Sequence, residues 1–182
     1  MNRFVVISGC SGGGKSTLLA ELKRRGYAVV EEPGRRVVAR ELNGDGRALP
    51  WVDGAAFARK AIELSLEDRS AAEQRTGWVF FDRGLIDAAA ALQHFTGEPA
   101  LAELRDKHRY NEIVFMTPPW PEIYITDEER RHGLRDAIAE YDRLCEAYPS
   151  IGYEISLLPK IDVQGRADFI LAALRADAID AE

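Results

Sequence analysis

Residues 9–16 read Gly9-Cys10-Ser11-Gly12-Gly13-Gly14-Lys15-Ser16 and fit the pattern G-x-x-x-x-G-K-S/T at every fixed position. The stretch follows a short apolar run, Phe4 to Ile7, and precedes a helical pattern that begins at Lys15. Glycines let successive backbone N–H groups curl around a phosphate, and the N-terminus of the next helix adds the positive end of its dipole. The stretch therefore predicts a phosphate-binding loop; the alternative is a glycine-rich turn that precedes a helix by chance.

The side chains of this loop have separate expected roles. Lys15 is placed to neutralise the β- and γ-phosphates of a nucleoside triphosphate, and the Ser16 hydroxyl to bind Mg²⁺. Thr17 is expected to contact the α-phosphate. We interpret Cys10 as a small residue that fills a variable position rather than as a thiol activated by the helix terminus. The predicted nucleotide-binding residues of the loop are Gly9, Ser11, Gly12, Gly13, Gly14, Lys15, Ser16 and Thr17.

Short β-type runs alternate with longer helical patterns along the chain, as is typical of a mostly parallel sheet with helices on both faces. We therefore predict an α/β, three-layer P-loop NTPase fold as a single domain over 1–182, with a five-stranded mostly parallel sheet and a helical lid at about 126–148. The predicted strands are Phe4 to Ile7, Tyr27 to Val30, Trp78 to Phe81, Ile113 to Met116 and Tyr153 to Leu158. The other predicted helices are Lys15 to Arg25, Val52 to Gln74, Leu85 to Phe95, Pro99 to His108 and Ala167 to Ile179.

The composition argues against several classes of function. The 182 residues include 24 Lys and Arg against 30 Asp and Glu, and a net charge of −6 argues against binding to nucleic acid or anionic lipid through bulk electrostatics. No apolar run approaches the roughly 18 residues of a membrane helix, so a cytoplasmic location without a membrane partner is expected. Cys10 and Cys145 lie far apart and lack metal-ligand spacing. A homodimer is left open.

An acidic residue follows the third predicted strand. A phosphate-binding loop needs an acidic partner for its metal at the C-terminal end of a neighbouring strand, and Asp82 is the predicted second Mg²⁺ ligand, directly or through water. Arg83 follows it, whereas motor-type ATPases place a glutamate there to activate water. The pair therefore favours transfer to a bound acceptor over hydrolysis. The alternative is a surface ion pair or a helix cap.

Two short motifs carry a resemblance to nucleotide kinases. Phe81-Asp82-Arg83 resembles the Asp-Arg motif of thymidylate kinases, and Val30-Glu31-Glu32-Pro33-Gly34 resembles the Glu-Pro-Gly that follows their second strand. Deoxynucleoside kinases carry a similar acid there. The resemblance implies that Glu32, ahead of Glu31, is a catalytic base or orients the acceptor. The alternative is a carboxylate that simply pairs with Arg35 or Arg36.

Nearly the whole chain resembles the small AAA-domain ATPases related to ribosylnicotinamide kinase. In this family the phosphate loop is specific for nucleotide binding, whereas the other motifs do not fix the substrate. The matching positions are the phosphate loop, Glu31-Glu32-Pro33 with Arg35 or Arg36, Leu49-Pro50-Trp51 with Phe57, Phe81-Asp82-Arg83-Gly84, Arg109-Tyr110 before Val114-Phe115, Pro118-Pro119-Trp120 and Gly152-Tyr153-Glu154.

A charged stretch, Asp127 to Arg135, follows the fourth predicted strand, where nucleotide and nucleoside kinases carry a mobile lid. The resemblance implies that its arginines fold over the phosphates, a task that suits a forked and permanently charged side chain. Arg130 is the predicted catalytic cation, and Arg131 and Arg135 are predicted to bind the nucleotide. The alternative is a solvated helix face with Glu and Arg at salt-bridge spacing.

Aromatic and histidine side chains give weaker indications of where an acceptor would bind. Trp51 and Phe57 precede the third strand, a region that borders the acceptor in kinases of this type. We interpret both as core residues, and the alternative is that they stack on an aromatic ring of the acceptor. The remaining candidates, interpreted as structural or exposed, are His94, His108 and His132.

The patterns together predict an ATP- and Mg²⁺-binding phosphotransferase whose acceptor is an unidentified small molecule of nucleoside or nucleotide type. ATP is favoured over GTP because the chain lacks an Asn-Lys-x-Asp guanine motif. The alternatives are a regulatory ATPase or GTPase switch acting through a protein or lipid partner, and a structural domain with a vestigial loop. The predicted catalytic residues are Lys15, Glu32, Asp82, Arg83 and Arg130.

Overall fold

A sheet of five parallel strands lies at the centre of the structure; numbered by their order along the chain, the strands lie side by side in the order 2-3-1-4-5. The computed structural model of the chain describes residues 2–123 and 133–180. Parallel pairing joins the central strand to both neighbours, with Phe4 opposite Val79 on one side and Ile7 opposite Phe115 on the other. The strands are β1 (Phe4–Gly9), β2 (Ala28–Val30), β3 (Val79–Asp82), β4 (Ile113–Thr117) and β5 (Glu154–Leu157).

Helices cover both faces of the sheet and confirm the predicted three-layer fold. Side chains alternate along β1, so that Val6 packs on one face of the sheet with Leu85 and Leu144. Val5 and Ile7 pack on the other face with Leu18 and Ile170. No helix of the described residues is long and apolar enough to cross a membrane. The helices are α1 (Lys15–Arg24), α2 (Pro33–Leu42), α3 (Gly54–Ala72), α4 (Leu85–Thr96), α5 (Ala100–Lys107), α6 (Leu134–Ser150) and α7 (Val163–Asp180).

Helix α2 was not predicted from the sequence. Pro33 occupies the first turn of the helix, where its missing N–H costs nothing. Val37 and Val38 of α2 are buried, and Val37 packs against Leu64 of α3. The next helix begins two residues later than predicted, at Gly54, because the Asp53 side chain accepts a hydrogen bond from the Ala56 N–H at 2.9 Å and caps it.

The predicted lid is described only in part. Residues 124–132, with Arg130, Arg131 and His132, lie outside the described residues. Beyond them α6 begins at Leu134 and ends at Ser150, close to the predicted end at Tyr148. Tyr148 is fully buried, so α6 is anchored to the core through its last turns.

Candidate active site

The phosphate loop joins β1 to α1 and depends on glycines at two positions. Gly9 has φ 114° and lies against the backbone of Thr117 in β4, so a Cβ atom at residue 9 would clash there. Gly14 has φ 79° and is the N-cap of α1, a left-handed conformation that suits glycine. The Cys10 N–H donates to the Thr117 carbonyl at 2.9 Å and ties the loop to the sheet. These contacts hold the loop at the carboxyl end of the central strands.

Lys15 is buried beneath the loop. Its Nζ donates to the Cys10 carbonyl at 3.1 Å, and burial together with the nearby Arg83 lowers its pKa from the usual value. Ser16 and Thr17, in contrast, are exposed on the first turn of α1. Cys10 is fully buried and burial raises the pKa of its thiol, as expected of a residue that fills space rather than of a reactive one.

Asp82 and Ser16 line a single cavity of about 420 Å³ between α1 and α2. Asp82 Oδ1 is buried without a hydrogen-bond partner. Burial and the nearby Glu32 raise the pKa of Asp82 to about 7, so a cation beside this carboxylate would stabilise its charged form. A hydroxyl and a carboxylate are the hard oxygen ligands that suit Mg²⁺, which completes its shell with water and substrate phosphates. The pair therefore fits a Mg²⁺ ion held jointly with a bound nucleotide.

Arg83 is held in a cluster of ion pairs. Its guanidinium donates two hydrogen bonds to the Glu140 carboxylate of α6, at 2.8 and 2.9 Å, and one to the Gly9 carbonyl at 3.2 Å. Its Nε lies 3.4 Å from Glu32 Oε1. Burial opposes the charge of Arg83, but Glu140 and Glu32 outweigh burial and raise its pKa above the usual value. Arg83 also has φ 59°, and its N–H donates to the Ile7 carbonyl at 2.9 Å.

Asp87 forms a buried polar cluster behind Arg83 that the sequence patterns did not reveal. Its Oδ2 accepts hydrogen bonds from the Gly84 N–H at 2.9 Å and from the Tyr148 hydroxyl at 2.6 Å. Its Oδ1 accepts one from the Ser8 hydroxyl of β1. The cluster therefore joins β1, α4 and α6 directly behind the phosphate loop. The available sequence signal was an acid three residues after Gly84, the spacing of a capping box.

A second cavity, of about 200 Å³, lies beside Glu32. Glu32 is the N-cap residue of α2, and its Oε2 lies 3.3 Å from Arg35 Nε. Phe57 of α3 lines this cavity and also packs against the core cluster of α2, α3 and α4, whereas half-buried Trp51 is not among the lining residues. The charged and aromatic residues of its lining, with one histidine, are Glu32, Arg35, Phe57, Arg83, Asp87, His94, Phe95, Asp136, Glu140 and Arg143.

A third cavity, of about 490 Å³, opens on the other side of the phosphate loop. Gly12 and Thr17 line it together with Trp120 and Arg166, two residues that were not predicted for the site. Arg166 of α7 is buried, its Nη2 donates to the Gly13 carbonyl at 3.1 Å, and its guanidinium lies 5.6 Å from the centre of the Trp120 ring. Burial lowers the pKa of Arg166. This side of the loop is thus flanked by a cation and an aromatic ring.

Two of the three histidines, His94 and His108, and one of the lid arginines, Arg135, belong to the described residues. Exposed His94 lines the second cavity, and burial lowers the pKa of half-buried His108. Arg135 is exposed near the start of α6 and is not among the residues that line the three cavities described above. The nucleotide-binding role of Arg135, like the roles of Arg130 and Arg131, stays a prediction.

Comparisons with known proteins agree on the fold. The family model described as an AAA domain matches residues 4–166. A deoxyadenosine kinase from M. mycoides with bound dATP has a TM-score of 0.64 at 17% identity, covering 96% of this chain and 100% of that chain.

Shikimate kinases have the same fold. The enzyme from Acinetobacter baumannii in complex with shikimate has a TM-score of 0.60 at 16% identity, covering 97% of this chain and 95% of that chain. The Aquifex aeolicus enzyme has a TM-score of 0.59, also at 16% identity, covering 97% of this chain and 98% of that chain. No curated protein matches the sequence. The chain therefore belongs to the AAA domain family and has the fold of the P-loop kinases.

Proposed function

We propose that the protein is a kinase that passes the γ-phosphoryl group of ATP to a small molecule bound in the cavity beside Glu32. One observation carries the proposal: Glu32 lines both the cavity that contains Ser16 and Asp82 and the separate cavity between α2, α3, α4 and α6. A residue at the junction of a metal site and a second pocket is placed to meet an acceptor at the γ-phosphate. The fold shared with a deoxyadenosine kinase and two shikimate kinases supports this proposal.

The chemistry follows from the positions of the side chains. The loop amides and Lys15 bind the β- and γ-phosphates, and Ser16 and Asp82 are the residues that would hold Mg²⁺, which would neutralise charge on the transferred group when bound. Glu32 orients the acceptor hydroxyl and takes its proton as the oxygen attacks phosphorus. Arg83 holds Glu32 in place from 3.4 Å. ATP is the proposed donor, with GTP the less favoured nucleotide.

The donor base has a proposed place in the third cavity. Trp120 provides an aromatic face, and Arg166, which also lines this cavity, donates a hydrogen bond to the Gly13 carbonyl of the loop. A purine in this cavity would place its phosphates on the loop amides. Arg130 and Arg131, from the segment before α6, and Arg135, from its first turn, are proposed to close over the phosphates.

Transfer is tested by incubating the protein with Mg²⁺, γ-labelled ATP and a panel of nucleosides, nucleotides, ribosylnicotinamide and shikimate. The expected result is that label moves to at least one organic acceptor. Glu32→Gln should lower kcat by about a hundredfold while leaving ATP affinity nearly unchanged, because the glutamate serves the acceptor. Label found only in free phosphate across the whole panel would contradict the proposal.

A further inference from the structure

Glu140 occupies the position on Arg83 that a phosphate group would take. An arginine fork binds carboxylates and phosphates in the same two-pronged geometry. Both prongs of Arg83 donate to Glu140, at 2.8 and 2.9 Å. Both side chains line the cavity, and that of Arg83 is 10% exposed whereas that of Glu140 is 37% exposed. A molecule that enters the cavity beside Arg83 therefore meets an arginine fork that already pairs with a carboxylate.

The other charges around this cavity do not favour an anion either. Asp87 lies 3.8 Å from Arg83 and is satisfied by its three donors, and Arg35 pairs with Glu32. Arg143 is exposed, so water screens its charge. The lining contains four carboxylates and three arginines, namely Glu32, Asp87, Asp136 and Glu140 against Arg35, Arg83 and Arg143. A phosphate dianion would add repulsion from Glu140 and Glu32, and the part of the chain that the structure describes brings no free, buried cation to this lining to offset it.

Most of the remaining lining is apolar or aromatic, and Ser11 and His94 are its other polar residues. Phe57 and Phe95 face the cavity with Ala90, Ala91 and Leu144. Such a surface suits a ring or a hydrocarbon face, while carboxylates accept hydrogen bonds from hydroxyl groups. The lining thus matches an uncharged molecule that combines a hydroxyl-rich part with a flat apolar part.

We propose that Glu140 is a specificity-determining residue that reserves this cavity for an uncharged, hydroxyl-bearing acceptor of nucleoside type and excludes phosphate monoesters. This inference rests on the proposed function for the role of the cavity. In the transfer, the acceptor hydroxyl oxygen bonds to the γ-phosphorus, the bond to the β-phosphate oxygen breaks, ADP leaves, and the hydroxyl proton passes to Glu32. Arg83 then acts as a positioning residue between Glu140 and Glu32.

Anion binding tests this inference without turnover. The donor site is first saturated with Mg²⁺ and a non-hydrolysable ATP analogue, and inorganic phosphate is then titrated by calorimetry. Glu140→Ala should bind phosphate at least about tenfold more tightly than the unchanged protein, because it frees the buried Arg83 fork. Glu146→Gln, which removes an exposed acid from the same helix, should leave phosphate affinity unchanged. Equal phosphate affinity in Glu140→Ala and the unchanged protein would overturn the inference.

A second variant and an activity readout complete the test. Glu140→Gln keeps the shape of the side chain but removes its charge, so it should strengthen phosphate binding even where Glu140→Ala does not fold. In the acceptor panel, adenosine or another nucleoside should be labelled and the matching 5′-monophosphate should not. Transfer to a monophosphate by the unchanged protein would overturn this inference and still support a kinase. Absence of transfer to every acceptor would contradict the proposed function, while the phosphate titration would still decide the role of Glu140.

Discussion

At the scale of single residues, Lys15 is the side chain on which binding of the ATP phosphates is proposed to depend. It is buried beneath the loop, and its ammonium donates a hydrogen bond to the Cys10 carbonyl at 3.1 Å. Lys15→Ala should lower kcat/KM by at least about a hundredfold, because no other loop side chain can neutralise the β- and γ-phosphates. Steady-state kinetics measure this effect. The control is Lys107→Ala, which removes an exposed lysine of α5. Similar kinetics for the two variants would remove Lys15 from the site.

Glu21 gives a pH-dependent prediction for stability. Hydrogen bonds from Arg24 and Arg25 lower the pKa of its carboxyl from the usual 4.5 to about 2. The folded pKa lies below the unfolded one, so the stabilisation is present above pH 4.5 and is lost as the pH falls toward 2. Urea unfolding should show that the stability difference between the protein and Glu21→Gln shrinks between pH 6 and about pH 3. A difference that stays constant over this range would contradict the assignment.

At the scale of secondary-structure elements, the Asp87 cluster joins α6 to the phosphate loop. The Tyr148 hydroxyl of α6 donates to Asp87 at 2.6 Å, and Ser8 immediately before Gly9 donates to the same carboxylate. Tyr148→Phe should lower the free energy of unfolding by about 1–3 kcal/mol, because a buried carboxylate loses a donor.

Tyr27→Phe is the control for this prediction. Tyr27 is only half-buried and contacts Phe80 edge to face through its ring, a contact that phenylalanine keeps. Chemical denaturation of both variants should give a clear loss for Tyr148→Phe and a change within about 0.5 kcal/mol for Tyr27→Phe. Equal losses would show that the Asp87 hydrogen bond is not what anchors α6.

The strands and helices also show which parts of the fold sequence patterns can predict. The strands β1 to β4 were predictable because each contains a short apolar run, and β5 because polar and apolar residues alternate over Glu154–Leu157. Helix α1 was predictable because the glycine loop marks its start. Helix α2 was missed because Pro33-Gly34 is equally typical of a turn, and only burial of Val37 and Val38 against neighbouring elements decides between the two. Local sequence patterns therefore predicted an element correctly wherever they fitted only one type of secondary structure. Where a pattern fitted both a turn and a helix, tertiary packing decided between them.

At the scale of the whole molecule, the site combines local and distant residues. Lys15, Ser16 and Asp82 were predictable because each stands at a fixed place in a short motif. Arg166 meets Gly13 across a separation of 153 residues, and Glu140 meets Arg83 across 57. No local pattern indicates such partners, because the order of the strands and the packing of α6 and α7 bring them together.

The central claim is that the γ-phosphate of ATP lies between the phosphate loop and Glu32, facing the cavity under α6. A crystal structure of the protein with Mg²⁺, a non-hydrolysable ATP analogue and a nucleoside tests it most directly. We predict Mg²⁺ on the Ser16 hydroxyl and the Asp82 carboxylate or its bound water, with Glu32 within hydrogen-bond reach of the nucleoside hydroxyl nearest the γ-phosphate. A γ-phosphate that points away from Glu32, or a nucleoside bound outside the cavity, would contradict the account.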